Sequence, residues 1–333
     1  MSEYVKNLWY MAAWDHEIPS GGMLSRVLLG EPWVIARISD SEFAMLADRC
    51  PHRFVPLSKG HIADGLIHCP YHGLGFDRAG ACAHSPFPEA PPAHVRARAM
   101  PLVHAHRALW FWPGDPESAD PALIPDFAFV DRPGMRRSHM EIGGNYELMT
   151  DNLMDLTHAE FLHKQSFGVN GSIFLGKQTV KQDADGAIWN NWDMESVTPP
   201  AWASAMVDEG EMVDQWLYMR WHAPASMALT VGLARSGTGR GSMVVPAMTN
   251  PHIITPATAT RCHYFFDHEA TPEAEAMARQ VFEDEDEPMI EAAQAALGDQ
   301  DFWDARPAIL ATDAGAIRAR RRLMQLRREE VSA

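Results

Sequence analysis

The chain has 333 residues, 46% of them hydrophobic and 22% charged, which suits one or two globular domains with a sizeable core. Its formal net charge of −16 argues against nucleic acid as a main partner, because phosphate binding depends on clustered lysine and arginine. No run of about 20 apolar residues could cross a bilayer, and the N-terminal stretch MSEYVKNLWYMAAW lacks the layout of a secretory signal. We therefore expect a cytoplasmic protein that binds neither nucleic acid nor membrane.

Residues 1–115 are predicted to form a small all-β domain. Apolar and polar residues alternate from residue 26 to residue 47, with a turn at Ser39–Ser41, which is typical of an antiparallel hairpin. Short strands separated by Gly- and Pro-rich turns continue to about Gly114. The proline- and acid-rich residues 116–135 are then predicted to be a linker.

Residues 136–333 mix helical and strand patterns, so the predicted fold class is α+β: an all-β domain followed by a domain of helices and antiparallel sheet. Residues 145–164 are predicted to be one helix. The predicted strands are 215–223, 226–234 and 260–268, and the predicted closing helices are 271–297 and 313–329.

A first metal motif lies in the all-β domain. Cys50 and His52 stand one residue apart, and after sixteen intervening residues Cys69 and His72 stand two residues apart. Zinc sites usually have wider spacings with like ligands grouped together. One thiolate and one imidazole from each of two loops instead suit a Rieske-type [2Fe–2S] cluster, in which one iron takes both cysteines and the other both histidines.

A second metal motif lies in DNLMDLTHAEFLH, residues 151–163. His158 and His163 are five residues apart, so on a regular helix their side chains would diverge by about 140°. A π-bulge or a local break would bring them together, and such distortions are frequent at functional sites. Two histidines and one carboxylate on one side of an iron form the facial triad of non-haem Fe(II) oxygenases.

The carboxylate of such a triad has to come from elsewhere in the chain. The acidic run from Glu283 to Glu287 offers five candidates, and spacing alone does not choose among them. Pro288 is expected to disturb a helix at this point and to turn one acid inward, leaving the other four in solvent.

With both motifs in place, the chain resembles the Rieske non-haem iron oxygenases over nearly its whole length. It is most similar to the oxygenase components of the vanillate and dicamba O-demethylase branch. The segments that carry the resemblance are NLWYMAAW, CPHRFVPLSKG, CPYHGLGFD, WFWPGDPESADPALIPDF, NYELMTDNLMDLTHAEFLH and TPATATRCHYFF. The sequence departs from many relatives at Gly75 and at Pro288.

The resemblance implies roles for the second motif. His158 and His163 would bind a mononuclear Fe(II), and Asp286 would supply the carboxylate because EDEPMIEA matches the context found in relatives. Asp155 resembles an aspartate that links a cluster histidine of one subunit to an iron histidine of the next, in a head-to-tail homotrimer. Asn152 resembles a residue that lies close to the iron.

The resemblance also implies a terminal oxygenase component that uses O₂ and NADH-derived electrons, delivered by a reductase and/or a ferredoxin. The favoured reaction is O-demethylation of a methoxylated aromatic acid with release of formaldehyde. Hydroxylation of an aryl methyl group and N-demethylation use the same iron chemistry and stay open. A non-catalytic Rieske electron carrier is a remote alternative, which predicts no second iron. By similarity of context, His222 and His252 are expected to line the substrate pocket.

Overall fold

A computed structural model describes residues 4–88, 93–164 and 166–332 of the chain. The chain divides into two compact units: residues 1–126 with 255–259, and residues 127–254 with 260–333. The division falls inside the segment 116–135 that the sequence analysis interprets as a linker. Within the described ranges, no helix is long and apolar enough to cross a membrane.

The first unit is built from short antiparallel strands. Among the described residues of this unit they form three sheets, in the orders β1-β10-β9, β2-β3-β4 and β5-β6-β7-β8. The strands are β1 Tyr10–Trp14, β2 Met23–Leu28, β3 Glu31–Arg37, β4 Phe43–Ala47, β5 His61–Ala63, β6 Leu66–His68, β7 Gly75–Phe76, β8 Cys82–His84, β9 Leu102–Ala105 and β10 Ala108–Phe111.

The predicted hairpin between residues 26 and 47 is present, but it contains one turn more than the sequence analysis finds. Besides the connection at Ser39–Ser41, a two-residue turn at Leu29 and Gly30 separates β2 from β3. Both residues have positive φ, +52° and +81°, as in the two-residue turns that match the twist of a hairpin. A leucine in the left-handed region is uncommon, which is why the sequence pattern does not reveal this turn.

The core of the first unit reaches the first metal motif. Cys50 and Cys69 belong to an apolar cluster with fully buried side chains from β3, β4, β6 and β7, among them Leu46, Ile67 and Phe76. Apolar packing on the inner side of the two cysteines therefore fixes the loops that carry them.

The second unit is built around one antiparallel sheet, with seven strands among the described residues. Its order is β11-β17-β16-β15-β14-β13-β12. The strands are β11 Met135–Ile142, β12 Lys177–Gln182, β13 Ile188–Val197, β14 Val213–His222, β15 Ser226–Arg235, β16 Met243–Thr258 and β17 Arg261–Glu269. The helices are α1 Tyr146–Met154, α2 Pro272–Arg279, a π-helix Gln280–Asp286, α3 Glu287–Leu297 and α4 Ala314–Ser332.

The predicted fold class is confirmed: an all-β unit is followed by a unit of helices and antiparallel sheet. One predicted element is wrong. Residues 145–164 do not form one helix, since α1 ends at Met154 and a 3-10 helix follows from Leu156 to Glu160. Asp155 between them is extended, with φ −100° and ψ 91°.

Candidate metal centres

Two loops of the first unit carry the cysteine–histidine motifs, and their backbones repeat one pattern. The N–H of each cysteine donates to the carbonyl five residues further on: Cys50 to Val55 at 2.9 Å, and Cys69 to Leu74 at 2.8 Å. Both loops therefore close with the same backbone hydrogen bond, although the histidine follows its cysteine by two residues in the first loop and by three in the second.

Each loop reverses four residues after its cysteine, at Phe54 and at Gly73. These two residues have φ of +63° and +72°, and their N–H groups donate to the cysteine carbonyls at 2.9 and 3.1 Å. Glycine adopts this conformation without steric cost, whereas phenylalanine does not. The ring of Phe54 lies against the guanidinium of Arg49, 4.0 Å from the ring centroid, which helps to hold it in place.

The four motif side chains converge. Cys50 and Cys69 are buried, and their thiols lie within hydrogen-bonding distance of each other; burial raises the pKa of the Cys50 thiol. The rings of His52, which is exposed, and His72, which is half-buried, have centroids 4.6 Å apart. Thiols inside and imidazoles outside fit a cluster with one cysteine-bound iron and one histidine-bound iron.

The break at Asp155 positions the two histidines of the second motif. The Asp155 carboxylate accepts hydrogen bonds from the N–H of Thr157 at 3.0 Å and from its hydroxyl at 2.6 Å, so it caps the 3-10 helix that follows. The chain thereby changes direction before His158. Of the two distortions that the sequence analysis considers, the structure has the local break at this point.

His158 and His163 face each other, with their Nε2 atoms 3.1 Å apart. The Nδ1 of His158 donates to the carbonyl of Asp155, and the Nδ1 of His163 donates to Glu285 at 2.7 Å. With both Nδ1 atoms protonated, two Nε2 lone pairs point at the same space. A cation between them relieves that repulsion, so this arrangement fits a metal ion.

Asp286 completes the group. Its Oδ1 lies 3.3 Å from Nε2 of His163 and 3.6 Å from Nε2 of His158. Three ligands in adjacent positions around an octahedral ion, each about 2.1 Å from it, are about 3.0 Å apart, close to the observed spacing. Among the described residues, the ligand atoms of His158, His163 and Asp286 lie close enough together to hold one metal ion.

The π-helix explains why Asp286 alone of the acidic run is fully buried. Pro288 lies in the first turn of α3 and has no N–H for the carbonyl of Asp284, so the regular helical ladder is interrupted there. The wider turn that precedes it directs Asp286 inward, where 1% of the residue is exposed, while Glu283 and Asp284 are exposed.

Glu285 was expected in solvent, and its position corrects that expectation. Its carboxylate accepts from Nδ1 of His163, from the Ser166 hydroxyl at 2.6 Å and from Gln280 at 3.0 Å. Burial alone would raise the pKa of Glu285, but the hydrogen bonds from Ser166 and His163 keep it below its ordinary value. The acidic run thus offers two functional carboxylates, of which sequence reasoning identified one.

Asn152 lies beside the group, as the resemblance implies. Its side-chain N–H donates to Oδ1 of Asp286 at 3.0 Å, on the oxygen that faces the two histidines. Its own Oδ1 is buried and has no hydrogen-bond partner within the described part of the chain. A buried, unpartnered carbonyl oxygen next to three converging donor atoms is a further sign that the site is built around an ion.

A cavity of about 310 Å³ opens onto the two histidines and Asp286. Its walls are mainly apolar, with side chains from β14, β15, β16, α2 and the π-helix. His252 lines it and His222 does not: His222 approaches Asp185, with Nε2 3.3 Å from Oδ2. The structure therefore brings five of the second unit's seven candidate residues together at this site: Asn152, His158, His163, His252 and Asp286. His222 and the Asp155 carboxylate lie outside the site.

Comparisons with known proteins identify the family of the chain. Residues 8–101 match the Rieske [2Fe-2S] domain, and residues 142–329 match the vanillate O-demethylase oxygenase C-terminal domain. The dicamba O-demethylase oxygenase component of Stenotrophomonas maltophilia is 34% identical over 99% of both chains. The chloroacetanilide N-alkylformylase oxygenase component of Rhizorhabdus wittichii is 30% identical over 96% of this chain and 94% of its own.

A solved structure supports the same conclusion. The crystal structure of dicamba monooxygenase bound to dicamba superposes with a TM-score of 0.88 at 33% identity, over 99% of both chains. The chain therefore belongs to the Rieske oxygenases with a vanillate O-demethylase type C-terminal domain, and it is the oxygenase component of a multicomponent monooxygenase that carries a [2Fe–2S] cluster and a non-haem iron.

Proposed function

We propose that the protein catalyses oxidative O-demethylation of a methoxylated aromatic compound at the site formed by His158, His163 and Asp286. The observation that carries this proposal is an apolar cavity of aromatic size that opens directly onto those three side chains. When bound there, Fe(II) supplies reductive activation of O₂. The chain's own residues hold the substrate's methyl group next to the metal and exclude water.

In the proposed reaction, one oxygen atom of O₂ enters a C–H bond of the methoxy group, and the hemiacetal formed breaks down to a phenol and formaldehyde. The other oxygen atom leaves as water, which consumes two electrons and two protons. A cytoplasmic NADH-dependent reductase and/or a ferredoxin would deliver those electrons to the cluster held by Cys50, His52, Cys69 and His72.

N-Dealkylation is the second candidate reaction. It requires the same attack on a C–H bond next to a heteroatom, and the N-alkylformylase component is 30% identical to this chain over nearly its full length. Identification of the aromatic product separates the two reactions, because both release an aldehyde.

The iron content of protein purified anaerobically tests the proposal. We expect about two cluster irons and about one further iron per chain. His158→Ala should lose the further iron and keep the cluster, because the cluster residues lie in the other unit. An unchanged iron content in this variant would refute the proposed metal site, and absence of formaldehyde from every methoxylated aromatic tested would refute the reaction.

Asp155 is proposed to couple the centres across a homotrimer. One carboxylate oxygen is used by Thr157 within the chain, which leaves the other oxygen for a histidine of a neighbouring subunit. Asp155→Asn separates the two roles because asparagine caps helices as well as aspartate does. We expect this variant to keep both metals and its stability but to lose turnover by about a hundredfold or more. Full activity would leave Asp155 with the capping role alone.

A further inference from the structure

The wall of the cavity also constrains the charge of the substrate. We infer that the site selects an uncharged aromatic compound and discriminates against aromatic carboxylates, in contrast to the methoxylated aromatic acid that the sequence analysis favours. This inference rests on the proposed function, since it specifies the substrate class of the same site.

The floor of the cavity is one apolar face of three adjacent strands. Leu217 on β14 pairs with Val231 on β15, and Val231 pairs with Met248 on β16. Two residues along the strands, Met219 pairs with Leu229 in the same way. All five side chains line the cavity, so its floor offers no hydrogen-bond donor to a ligand.

Next to this floor, His252 offers a ligand a neutral hydrogen-bond donor. His252 and Tyr264 are buried, with Nδ1 of His252 2.5 Å from the Tyr264 hydroxyl. Burial raises the pKa of Tyr264 well above 10 and lowers the pKa of His252 to about 4, so both are uncharged near neutral pH. Tyr264 donates its proton to Nδ1, which leaves the N–H at Nε2 as the donor that His252 offers to a ligand.

The charged groups that line the cavity are acidic or already paired. Asp267 accepts from Asn250 at 2.6 Å and from Arg132 at 3.1 Å, so the nearest guanidinium serves this internal carboxylate. His268 lies beside the hydroxyl of Ser138, with its Nε2 3.2 Å from Oγ. Within the described residues, no lysine or arginine lines the cavity.

An ionised carboxylate would therefore lose most of its water in this cavity and gain only neutral donors in return, the N–H of His252 and the amide of Asn250, which already donates to Asp267. Burial of an anion without a cation or two to three donors is strongly unfavourable. The two positive charges of a bound Fe(II) would be offset by two carboxylates, that of its proposed ligand Asp286 and that of Glu285 beside His163. A neutral ring with one hydrogen-bond acceptor for His252 meets no such penalty.

Matched ligands test this inference. The iron-loaded full chain would be titrated anaerobically by calorimetry, at about pH 7.5, with the 2-, 3- and 4-methoxybenzamides and the corresponding methoxybenzoates, which are ionised there. We expect at least one amide to bind about tenfold or more tighter than its acid. Acids that bind as tightly as the amides, or failure of every amide to bind, would overturn the inference.

Binding and turnover separate this inference from the proposed function. Preference for an amide that yields neither phenol nor formaldehyde would support the uncharged class and refute demethylation. A variant supplies the reverse test: Met248→Lys adds a cation to the floor and should shift the preference toward the benzoate by about tenfold or more. Met248→Gln, which is polar but uncharged and matches methionine in length, should not. Equal effects of the two substitutions would contradict the electrostatic explanation.

Discussion

Two adjacent carboxylates of the second unit have different surroundings, because the π-helix directs them to different sides of His163. Asp286 approaches Nε2 of that histidine at 3.3 Å, and Glu285 accepts from its Nδ1 at 2.7 Å. The first carboxylate is placed to bind a metal with the histidine, and the second fixes the ring orientation and raises its basicity.

We predict that Glu285→Gln weakens iron binding about 10- to 100-fold without removing the site. The amide keeps the size of the side chain but loses the charge that stabilises the N–H of His163. Competition with a chelator measures the affinity. The matched control is Glu283→Gln, an exposed acid of the same π-helix, which should leave the affinity unchanged. Equal affinities of the two variants would exclude an orienting role for Glu285.

Residue identities were predictable where spacing encodes them. Cys50, His52, Cys69 and His72 lie in a spacing that few other sites use, and their side chains converge as a cluster requires. Glu285 was not predictable in this way, because five consecutive acids carry no periodicity to distinguish one from another. His222 and His252 both lie in strands of the structure, and only the fold shows that His252 lines the cavity and His222 does not.

At the scale of elements, α4 is tied to α1 by a buried arginine. The guanidinium of Arg320 donates to Asp151 at 2.8 and 2.9 Å and to Glu147 at 3.0 Å, and it stacks on the ring of Phe302, 3.8 Å from the centroid. Since α1 carries Asn152 and leads into the histidine segment, α4 holds the helix from which the metal site is built.

We predict that Arg320→Met lowers the free energy of unfolding by about 3–5 kcal/mol, because it leaves the largely buried carboxylate of Asp151 without its cation and Glu147 with Arg327 alone. Methionine retains an apolar stem of similar length but lacks the guanidinium that stacks on Phe302. The matched control is Arg321→Met on the exposed face of α4, with an expected change within about 0.5 kcal/mol. Denaturant unfolding followed by circular dichroism provides the comparison, and similar losses in both variants would contradict this role for Arg320.

In the second unit, strand prediction succeeded for three apolar segments and missed the more polar β11, β12 and β13 and the proline-containing β16. The predicted strands at 215–223, 226–234 and 260–268 are present as parts of β14, β15 and β17. β16 was missed because Pro246, Pro251 and Pro256 argue against a central strand. At Pro246 the sheet has register shifts between β15 and β16, whereas Pro251 pairs in register with Ala228, and no local sequence pattern reveals either arrangement.

At the scale of the whole molecule, each proposed metal centre is built within one unit. The cluster residues lie between positions 50 and 72 of the first unit, and the iron residues at 158, 163 and 286 of the second. Neither set borrows a side chain from the other unit. Separate construction implies that each centre can be filled without the other, although turnover requires both.

Cys69→Ser provides the reciprocal of the His158→Ala experiment. Loss of one buried thiolate should abolish the cluster and its visible absorption, because serine is a poor ligand for iron–sulfur clusters and the cysteine pair is needed on one iron. The second unit should still bind about one Fe(II) per chain at His158, His163 and Asp286, with an affinity within about threefold of that of the intact protein. Metal analysis after anaerobic loading, with acid-labile sulfide as the measure of the cluster, distinguishes the two centres. Loss of the mononuclear iron together with the cluster would show that the centres depend on each other for assembly and would contradict their independent construction.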